Sequence, residues 1–578
     1  MRKDILFILS LLNLKQKISL FFLQLLIIIT SLIESLGIFS IAPFISMIAN
    51  PDNIKSFNIP FSSIDLIERF NLYSVKDYGY FLIIFFFLIS VLNISTSWLI
   101  IKFSEQISLY FTTSVYKEYL NKPYKFFLDN NTSVLISKII LESYRVTGGV
   151  IKGLMTFNSK LSIAIIIFLT LLVFNFKITL LIFAILALVY LCVIISINSL
   201  IKKTGTLISI NNKGRVKTIG ESFNSIKDII VRNKSNFFYF NFYKYAKDLA
   251  KNQLIISSLS QLPAYVLQFF ILSAIILAFI FLGSDENLNF ENIIATMSIY
   301  ALAGLRVIPS FNGMFSSMTS IKSNLPALSN IKTDLIQASK NKNIEELKFL
   351  NIKDYSLISI KNLTFKYSNN IILNKVNIKI PIGKMIGISG KTGSGKSTLL
   401  NVLAGILEPK NIDLYIDNQK YSINKLPKLN IGYVSQNMFL LDTTIKENIA
   451  FGNFSNEIDS KKIENSLEIS CAKDFVKKLP KNINCIVGDR GLKLSGGQIQ
   501  RLSLSRAIYF EPDILILDES TNALDKNTEH RVLNNLIKLK DNTKTTIILI
   551  SHNQSALDKC DLIFELKNKK IFKKYEKK

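Results

Sequence analysis

The residues that build metal sites and disulfide frameworks are scarce in this chain. Its 578 residues include two histidines, one tryptophan and four cysteines, and no two of the cysteines form a Cys-x-x-Cys pair. This excludes a disulfide-rich secreted domain and argues against a Cys/His metal site. The cysteines are Cys192, Cys471, Cys485 and Cys560.

Acidic residues are also few. The chain has 42 Asp and Glu and 69 Lys and Arg, so its net charge is +27. Such an excess suggests anionic partners, such as nucleotide phosphates or lipid head groups. Nucleic acid is not a predicted partner. Lysine far outnumbers arginine, and Ile and Asn are abundant, which is typical of AT-rich coding bias rather than of a dedicated nucleic-acid surface.

Apolar and charged residues occupy different parts of the chain. Six apolar runs in the first half are each about as long as the ~20 residues that cross a bilayer. They cover roughly residues 18–48, 80–101, 154–174, 178–200, 254–282 and 293–315. The sequence therefore predicts an α-helical membrane domain with six crossings over residues 1–328.

The charges between these runs predict the orientation of the membrane domain. Residues 202–251 hold eleven Lys and Arg, whereas residues 283–292 hold Asp285, Glu286 and Glu291 and no base. Because basic loops stay in the cytoplasm, we expect the N-terminus inside and a multi-pass protein of the bacterial inner membrane. Residues 1–14 lack a cleavage site and are interpreted as an amphipathic elbow helix at the inner membrane surface.

The last 226 residues or so have a different pattern, after a polar linker placed at residues 329–352. Short β-type runs alternate with helical ones over residues 353–578, which predicts an α/β domain with a largely parallel sheet. The predicted strands are residues 386–389, 412–416, 431–434, 514–517 and 546–550.

A glycine-rich loop follows the first of these strands. Residues 390–398 match the P-loop pattern GxxxxGK[ST], with a helical stretch behind it. Backbone N–H groups of such a loop surround phosphates, and the helix N-terminus adds positive potential. We expect Lys396 to reach the β- and γ-phosphates of ATP and Ser397 to bind Mg²⁺. The predicted nucleotide-binding residues of this loop are Gly390, Lys391, Thr392, Gly393, Ser394, Gly395, Lys396, Ser397 and Thr398.

Two further motifs carry chemistry. The apolar run Ile514–Leu517 ends in Asp518 and Glu519. We expect Asp518 to hold Mg²⁺ and Glu519 to polarise the attacking water. The sequence Leu-Ser-Gly-Gly-Gln, at residues 494–498, offers a second phosphate-binding surface at a helix start. Its predicted binding residues are Ser495, Gly496, Gly497 and Gln498.

The P-loop, this signature and the Leu-Asp-Glu run occur in an order and spacing that resemble the ABC ATPases. Six membrane helices followed by one such domain resemble a type IV ABC half-transporter over the whole chain. The resemblance implies roles for four more residues: Tyr367 stacks on adenine, Gln436 senses Mg²⁺, Asp525 lies in the D-loop, and His552 contacts the γ-phosphate. The predicted catalytic residues are therefore Glu519, His552 and Gln436. The predicted Mg²⁺ ligands are Ser397, Gln436 and Asp518.

One chain carries one P-loop and one signature, whereas ATP in this family lies between the P-loop of one domain and the signature of another. The resemblance therefore implies an ATP-hydrolysing homodimer that exports or flips a substrate. The alternative class of function is a regulator or channel with the same fold that nucleotide binding opens or closes. The presence of Glu519 argues against it.

The substrate is predicted from two charged residues inside apolar runs. Glu34 lies in the first run and Arg306 in the sixth. A charge there is costly, so both residues are predicted either to contact substrate or to form an ion pair. Their surroundings resemble the lipid-linked oligosaccharide flippases of the PglK type, as does an amphipathic stretch in residues 57–74. That resemblance implies a lipid-linked oligosaccharide or related glycolipid as substrate, with a general lipid or amphiphilic drug exporter as the alternative.

Overall fold

The computed structural model describes residues 2–41, 44, 48, 74–174, 176–283, 290–340, 349–367, 370–421 and 428–577. These residues separate into two compact units. The first comprises residues 1–122 and 126–343, and the second comprises residues 123–125 and 344–578. Each unit is described by itself below.

The first unit is helical throughout its described residues. A short helix α1 (Arg2–Leu11) precedes α2 (Leu14–Phe39), and Asn13 between them starts α2 with its own N–H donating to the side chain of Gln16. The other long helices are α3 (Val75–Leu120), α6 (Lys152–Phe174), α7 (Phe176–Asn224), α9 (Ser235–Gly283) and α10 (Phe290–Lys340). Helices α3, α6, α7, α9 and α10 each contain one of the apolar runs, and α2 contains the first run as far as Phe39.

Length and composition alone identify membrane spans among these helices. Four stretches of the described residues are long and apolar enough to cross a membrane. They are Leu14–Ile38, Val75–Leu120, Thr132–Val173 and Thr179–Asn224. Helices α3 and α7 have 46 and 49 residues, so they extend well beyond a bilayer whose apolar core needs about 20.

Short helices occur where the long ones end. Helices α4 (Tyr124–Asp129) and α5 (Thr132–Ser137) follow α3, and α8 (Ile226–Val231) follows α7. Two π-helical segments, Lys138–Glu142 and Arg145–Ile151, join α5 to α6.

A buried arginine joins one π-helical segment to α7 and α10. Arg145 donates to the side chain of Asn324 at 2.9 Å and to the carbonyls of Gly205 and Ser323 at 3.2 and 2.9 Å. The backbones approach so closely here that a Cβ on Gly205 would overlap the Ser323 carbonyl. Because the guanidinium donates to acceptors on both α7 and α10, its burial is compensated.

The second unit contains a six-stranded sheet in the order β12-β11-β4-β10-β9-β8. Its strands are β4 (Met385–Ser389), β8 (Ile431–Val434), β9 (Ile514–Asp518), β10 (Thr546–Ile550), β11 (Leu562–Lys567) and β12 (Lys570–Glu576). All neighbouring pairs are parallel except β11 with β12. The strands β9 and β10 are fully buried, as expected for a parallel sheet covered on both faces.

The described residues of this unit form seven α-helices. They are α11 (Lys396–Leu403), α12 (Ile445–Ile449), α13 (Ser460–Ile469), α14 (Lys473–Lys477), α15 (Gly496–Tyr509), α16 (Lys526–Thr543) and α17 (Gln554–Leu557). Leu504, Ile508, Val532 and Leu536 from α15 and α16 share one apolar core with Leu517. A separate core contains the P-loop helix residues Leu399 and Leu400.

A second, antiparallel sheet has the order β3-β2-β5-β6, and the sequence did not predict it. Its strands are β2 (Leu357–Tyr367), β3 (Asn370–Pro381), β5 (Asn411–Ile416) and β6 (Gln419–Tyr421). The predicted strand 412–416 therefore lies in this sheet rather than in the parallel one. Both sheets have alternating or continuous apolar strands, and only long-range pairing distinguishes them.

The predicted linker at residues 329–352 is partly regular structure. Helix α10 continues to Lys340, and β1 (Phe349–Leu350) pairs with β7 (Lys428–Leu429). The polar composition that suggested a linker is compatible with a helix, because Asp334 on α10 forms a 2.9 Å ion pair with Lys138.

Candidate active site

The P-loop lies between β4 and α11, as its motif predicts. Gly393 and Gly395 have φ of +78° and +105°, a region that side chains with a Cβ rarely adopt. A Cβ on Gly395 would also lie 2.9 Å from a methyl carbon of Ile372. Glycine is therefore required at Gly395 for the turn that brings the chain from the strand into the helix.

Lys396 begins α11 and its side chain folds over the loop. The Nζ atom donates to the carbonyl of Gly390 at 2.8 Å and to that of Lys391 at 3.1 Å. Burial lowers the pKa of Lys396, while the negative charges of Glu519 and Asp518 act to raise it. The ammonium thus lies among the loop carbonyls and two carboxylates, where an added phosphate would be strongly attracted.

Asp518 lies at the end of β9 beside the P-loop and is 3% exposed. Burial raises the pKa of its carboxyl group, and a hydrogen bond from the Ser397 side chain acts to lower it. Its Oδ1 atom is buried and has no hydrogen-bond partner among the described residues. The Asp518 carboxylate and the Ser397 hydroxyl lie side by side, and Oδ1 of Asp518 accepts no hydrogen bond from the described residues. Such oxygen ligands suit a hard cation such as Mg²⁺.

Three side chains surround the Glu519 carboxylate. Gln436 and Asn522 each donate a side-chain N–H to Oε2 at 3.1 Å. His552 Nε2 lies 3.2 Å from Oε1. The backbone of Glu519 has φ of +51°, so the chain turns sharply at the strand end and directs this carboxylate to the edge of the sheet. The predicted catalytic residues Glu519, His552 and Gln436 are therefore brought together.

The signature motif forms the start of α15. Ser495 is the N-cap: its hydroxyl accepts from the N–H of Gln498 at 3.3 Å, and its own N–H donates to the Gln498 side chain at 2.9 Å. This reciprocal cap fixes the direction of the helix N-terminus, and the first residues, Gly496 and Gly497, carry no side chain. The exposed motif is thus preorganised to bind an anion.

Two other predicted nucleotide-binding residues lie at the ends of elements. Tyr367 ends β2, is 38% exposed, and packs edge-on against Phe365 with ring centroids 4.9 Å apart. Asp525 is the N-cap of α16 and accepts from the N–H of Thr528 at 2.9 Å, a contact that lowers its pKa. The ring of Tyr367 is therefore accessible for stacking, whereas Asp525 has a capping role in this chain.

Sequence reasoning did not assign three polar residues that hold these motifs together. Asn522, three residues before Asp525, donates its side-chain N–H to Glu519. Gln500 accepts from the N–H of Ala523 at 3.0 Å and so connects α15 to the D-loop. Arg506 donates to Asn448 and Phe439, and burial lowers its pKa to about 10. An arginine or glutamine on a helix has no local signal for such long-range contacts.

The membrane unit brings together the two charged residues that the sequence placed in apolar runs. Arg306 on α10 donates to Glu34 on α2, with Nη1 and Oε1 2.8 Å apart. The Glu34 side chain is 6% exposed and that of Arg306 is 43% exposed. The carboxylate is therefore inside the helix packing, whereas part of the Arg306 side chain remains accessible. The predicted amphipathic helix of residues 57–74 lies outside the described residues, apart from its last residue.

Two family models match this chain. The one described as ABC transporter transmembrane region matches residues 18–304, and the one described as ABC transporter matches residues 373–522. Together they cover more than half of the chain, and the P-loop, the signature start and the Glu519 strand all lie in the second match. The chain belongs to the ABC transporter family. It is a membrane-embedded, multi-pass protein whose ATPase domain binds ATP and couples its hydrolysis to transport.

Individual relatives agree with this assignment. An ATP-dependent lipid A-core flippase of Wigglesworthia glossinidia brevipalpis is 29% identical over 478 residues, which are 79% of this chain and 78% of the relative. A putative export ATP-binding/permease protein of Rickettsia bellii is 35% identical over 50% of this chain and 51% of its own. A solved bacterial Atm1-family ABC exporter with ATP bound has a TM-score of 0.75 at 17% identity, over 97% of this chain and 95% of that one.

Proposed function

We propose that this protein is an ATP-driven flippase for a lipid-linked oligosaccharide or a related glycolipid. The observation that carries the proposal is the Glu34–Arg306 pair. One oxygen of a buried carboxylate holds the guanidinium, and 43% of the arginine side chain stays exposed. Arginine presents five N–H donors in a planar fork, so one bond to Glu34 leaves a geometry suited to phosphate or pyrophosphate.

The cost of placing an arginine in an apolar helix supports a role in binding. A cation at mid-bilayer costs roughly 2.5–3.5 kcal/mol on insertion scales. The buried Glu34 offsets part of this cost, because its carboxylate lies 2.8 Å from the guanidinium. The partial exposure of Arg306 favours a site that an anionic lipid head group enters.

The assembly that completes the ATPase site is a homodimer. The signature motif, with Ser495, Gly496 and Gly497, lies at the start of α15, whereas the P-loop precedes α11. In the proposed dimer, ATP contacts the P-loop of one copy and the Ser495 helix start of its partner. Tyr367 stacks on the adenine. Both motifs are intact, so both composite sites hydrolyse ATP.

Within each site we assign Glu519 as the group that polarises the attacking water. Gln436 and Asn522 both donate to Oε2 of Glu519. These two hydrogen bonds orient the carboxylate so that Oε1 faces His552. Ser397, Asp518 and Gln436 would hold Mg²⁺, and the ion would supply charge neutralisation of the phosphates. His552 is 45% exposed and is placed to contact the γ-phosphate.

The proposed location is the bacterial inner membrane, with the N-terminus and the ATPase domain in the cytoplasm. The support is the distribution of basic residues, since eleven Lys and Arg lie in residues 202–251. With this orientation the P-loop and signature have access to cytoplasmic ATP.

A second candidate is a general lipid or amphiphilic drug exporter. The support for it is that Arg306 is the single arginine in the six apolar runs of the sequence, whereas a pyrophosphate carries charge for more than one. The relatives named as lipid A-core flippases are compatible with either candidate.

The test is transport by the purified full chain in proteoliposomes. We expect ATP-dependent flipping of a polyprenyl-pyrophosphate oligosaccharide and stimulation of ATPase activity by it. Uncharged amphiphiles at the same mole fraction are expected to give less stimulation. Stimulation by uncharged drugs alone would favour the second candidate, and no stimulation by any lipid or drug would contradict both.

A further inference from the structure

Three charged residues lie in the six apolar runs of the sequence: Glu34, Lys160 and Arg306. Arg306 on α10 is paired with Glu34 on α2 at 2.8 Å. Lys160, on α6, is the remaining charge. A charge inside an apolar membrane helix is costly, and such residues face a partner or an aqueous path. Because the one carboxylate of these runs already binds Arg306, Lys160 is a cation that the ion pair does not account for.

The Lys160 side chain is half-buried and lacks a counter-charge within its own chain. Among the residues that the structure describes, none forms an ion pair or a hydrogen bond with its ammonium group. A lysine can bury its apolar stem along a helix while its head stays in a polar environment. An ammonium held in this way is suited to an anion that comes from outside the chain.

A glycine on α10 leaves the space in which the Lys160 stem lies. A Cβ added to Gly313 would be 2.9 Å from Cγ of Lys160 and 3.3 and 3.4 Å from Cδ and Cε. The stem therefore runs across α10 at Gly313. One turn further along, the hydroxyls of Thr156 on α6 and Ser317 on α10 are 2.7 Å apart, which fixes the register of the two helices.

Lys160 and Arg306 lie on the same face of α10. Gly313, which Lys160 contacts, follows Arg306 by seven residues, or nearly two helical turns. Positions seven apart share one face and are separated by about 10 Å along the helix axis. Both side chains are long, so one ligand with two neighbouring anionic groups can reach both cations. A pyrophosphate with one charge-assisted hydrogen bond at each end spans a comparable length.

The charges of the apolar runs match those of a pyrophosphate. Lys160 and Arg306 contribute two positive charges and Glu34 one negative charge, so each chain has an excess of one positive charge in these runs. Two copies in the proposed homodimer have an excess of two. A pyrophosphate diester carries one negative charge on each of its two phosphoryl groups and balances this excess. A monophosphate diester leaves half of it, and an uncharged amphiphile leaves all of it.

We propose that Lys160 is a second cationic contact for the head group of the transported lipid, beside Arg306, and that it makes the transporter select pyrophosphate-linked over monophosphate-linked lipids. The inference rests on the proposed flippase function and names the charge that its substrate site accepts. The two cations have different roles. Arg306 is held in place by Glu34, whereas Lys160 is a point charge on a flexible stem that can follow a moving phosphoryl group.

The test compares two lipids with the same polyprenyl tail and the same glycan, one linked by pyrophosphate and the other by monophosphate. The purified full chain is assayed in phosphatidylcholine proteoliposomes for flipping and for stimulated ATPase activity. We expect wild type to have the lower apparent KM for the pyrophosphate lipid. Lys160→Met keeps the apolar stem and should raise that KM by about tenfold, the worth of one charged hydrogen bond. The KM for the monophosphate lipid should change much less.

Conservative and control variants separate charge from structure. Lys160→Arg should restore most of the preference for pyrophosphate, because the charge is kept. Lys203→Met, at an exposed position of α7, should change neither KM. A purely structural role of Lys160 would instead lower the melting temperature of Lys160→Met and leave the ratio of the two KM values as in wild type.

Gly313 provides a second test that leaves the charge of Lys160 intact. Gly313→Ala places a methyl group where the stem lies, so the ammonium must move and the KM for the pyrophosphate lipid should rise. In the double variant Lys160→Ala with Gly313→Ala, the stem is absent. Its KM should be no higher than that of Lys160→Ala alone, because the two changes act on one contact. Fully additive effects would contradict the placement of Lys160.

Three results would overturn the proposal. An equal change of both KM values in Lys160→Met, or no change, would remove its role in selectivity. An effect that is the same for both lipids and occurs only when the vesicles contain phosphatidylglycerol would assign Lys160 to bulk phospholipid phosphates. If neither lipid stimulates wild type, the proposed function fails and this inference fails with it. A stimulated wild type with an unaltered Lys160→Met overturns the role of Lys160 alone.

Discussion

His552 Nε2 lies 3.2 Å from Glu519 Oε1, and the two residues come from neighbouring parallel strands. Glu519 follows β9 and His552 follows β10, so the carboxyl ends of adjacent strands bring them together. The other oxygen of Glu519 accepts from Gln436 and Asn522. The carboxylate is thus held in one orientation at the edge of the sheet next to the P-loop.

The first prediction concerns the Glu519 carboxylate. Glu519→Gln should keep ATP binding but lower turnover by roughly 10²–10⁴-fold, because an amide cannot polarise the attacking water. It should also accumulate a closed dimer with two bound ATP. ATPase rate and retained nucleotide, measured on the same preparation, check this.

The two histidines offer a matched control for the same site. His552→Ala should lower turnover, whereas His530→Ala should not, because His530 is exposed on α16 and hydrogen-bonds to Asn534. Near wild-type hydrolysis by Glu519→Gln, or equal effects of the two histidine variants, would contradict the catalytic assignment.

A second prediction concerns Asn522, whose amide donates to Glu519 at 3.1 Å. Asn522→Ala should lower kcat by roughly 2- to 10-fold, the worth of one hydrogen bond, with little change in KM for ATP. Asn522→Asp should cost more, since a second carboxylate would face Glu519. Asn534→Ala on α16 is the control. A change in KM rather than kcat would mean that Asn522 acts on ATP binding and not on Glu519.

The third prediction concerns assembly. Lys396→Ala removes the phosphate-binding ammonium, and Ser495→Arg blocks the signature surface. If ATP lies between two copies, mixing the two variants yields heterodimers with one intact composite site and one doubly broken site. ATPase activity of the mixture should exceed that of either variant alone. Full activity in a demonstrated monomer would contradict the homodimer.

The parts of the site that could be predicted from the sequence are those fixed by local backbone. The P-loop, the Ser495 cap and the Asp518–Glu519 strand end each depend on a few adjacent residues, and their motifs define them. An ion pair was one of the two roles predicted for Glu34 and Arg306, but the sequence alone could not choose between them, because the residues are 272 positions apart. The sequence around Glu34 or Arg306 alone is compatible with an exposed side chain, an ion-paired one or a substrate-binding one.

The same distinction explains the fold. The apolar runs predicted six long helices, since a length of about 20 apolar residues is a strong signal. The extension of α10 to Lys340 is polar, and nothing local distinguishes such a helix from a linker. The division of strands between a parallel and an antiparallel sheet depends on pairing between distant residues, such as Ile358 with Ile416.

A fourth prediction concerns pH and the ATPase unit. Burial acts to raise the pKa of Asp561, but hydrogen bonds from the Met385 N–H at 2.8 Å and from Lys540 at 3.1 Å lower it overall. A carboxyl group whose pKa is lowered in the folded state stabilises the fold above its unfolded pKa. That contribution is lost as the pH falls through the lower, folded pKa.

Asp561→Asn should therefore destabilise the protein at pH 7 by about 1 kcal/mol, the scale of one charged hydrogen bond. The difference from wild type should narrow as the pH falls below the ordinary Asp value of 3.8. Calorimetric melting of the full chain between pH 3 and pH 7 measures it. Asp558→Asn, at an exposed position nearby, is the control. A difference that does not depend on pH would mean that the charge of Asp561 is not what stabilises the unit.

The last prediction concerns the substrate. If the exposed part of Arg306 binds a phosphate or pyrophosphate, Arg306→Ala should lower flipping and substrate-stimulated ATPase activity. Basal ATP binding should be unaffected, because it depends on Lys396 and Ser495. Arg306→Lys should recover only part of the activity, since lysine keeps the charge but loses the planar fork.

The variant Glu34→Gln distinguishes a role of the ion pair in substrate binding from a purely structural role. The amide can still accept a hydrogen bond from Arg306, but it no longer neutralises the guanidinium. We expect a weaker effect than that of Arg306→Ala, with the apparent KM for an anionic lipid changed more than the maximal rate. If Arg306→Ala flips a lipid-linked oligosaccharide as fast as wild type does, the ion pair is structural. A Glu34→Gln variant that is equally active but less thermally stable would support that outcome, because a lost structural pair lowers stability without changing transport.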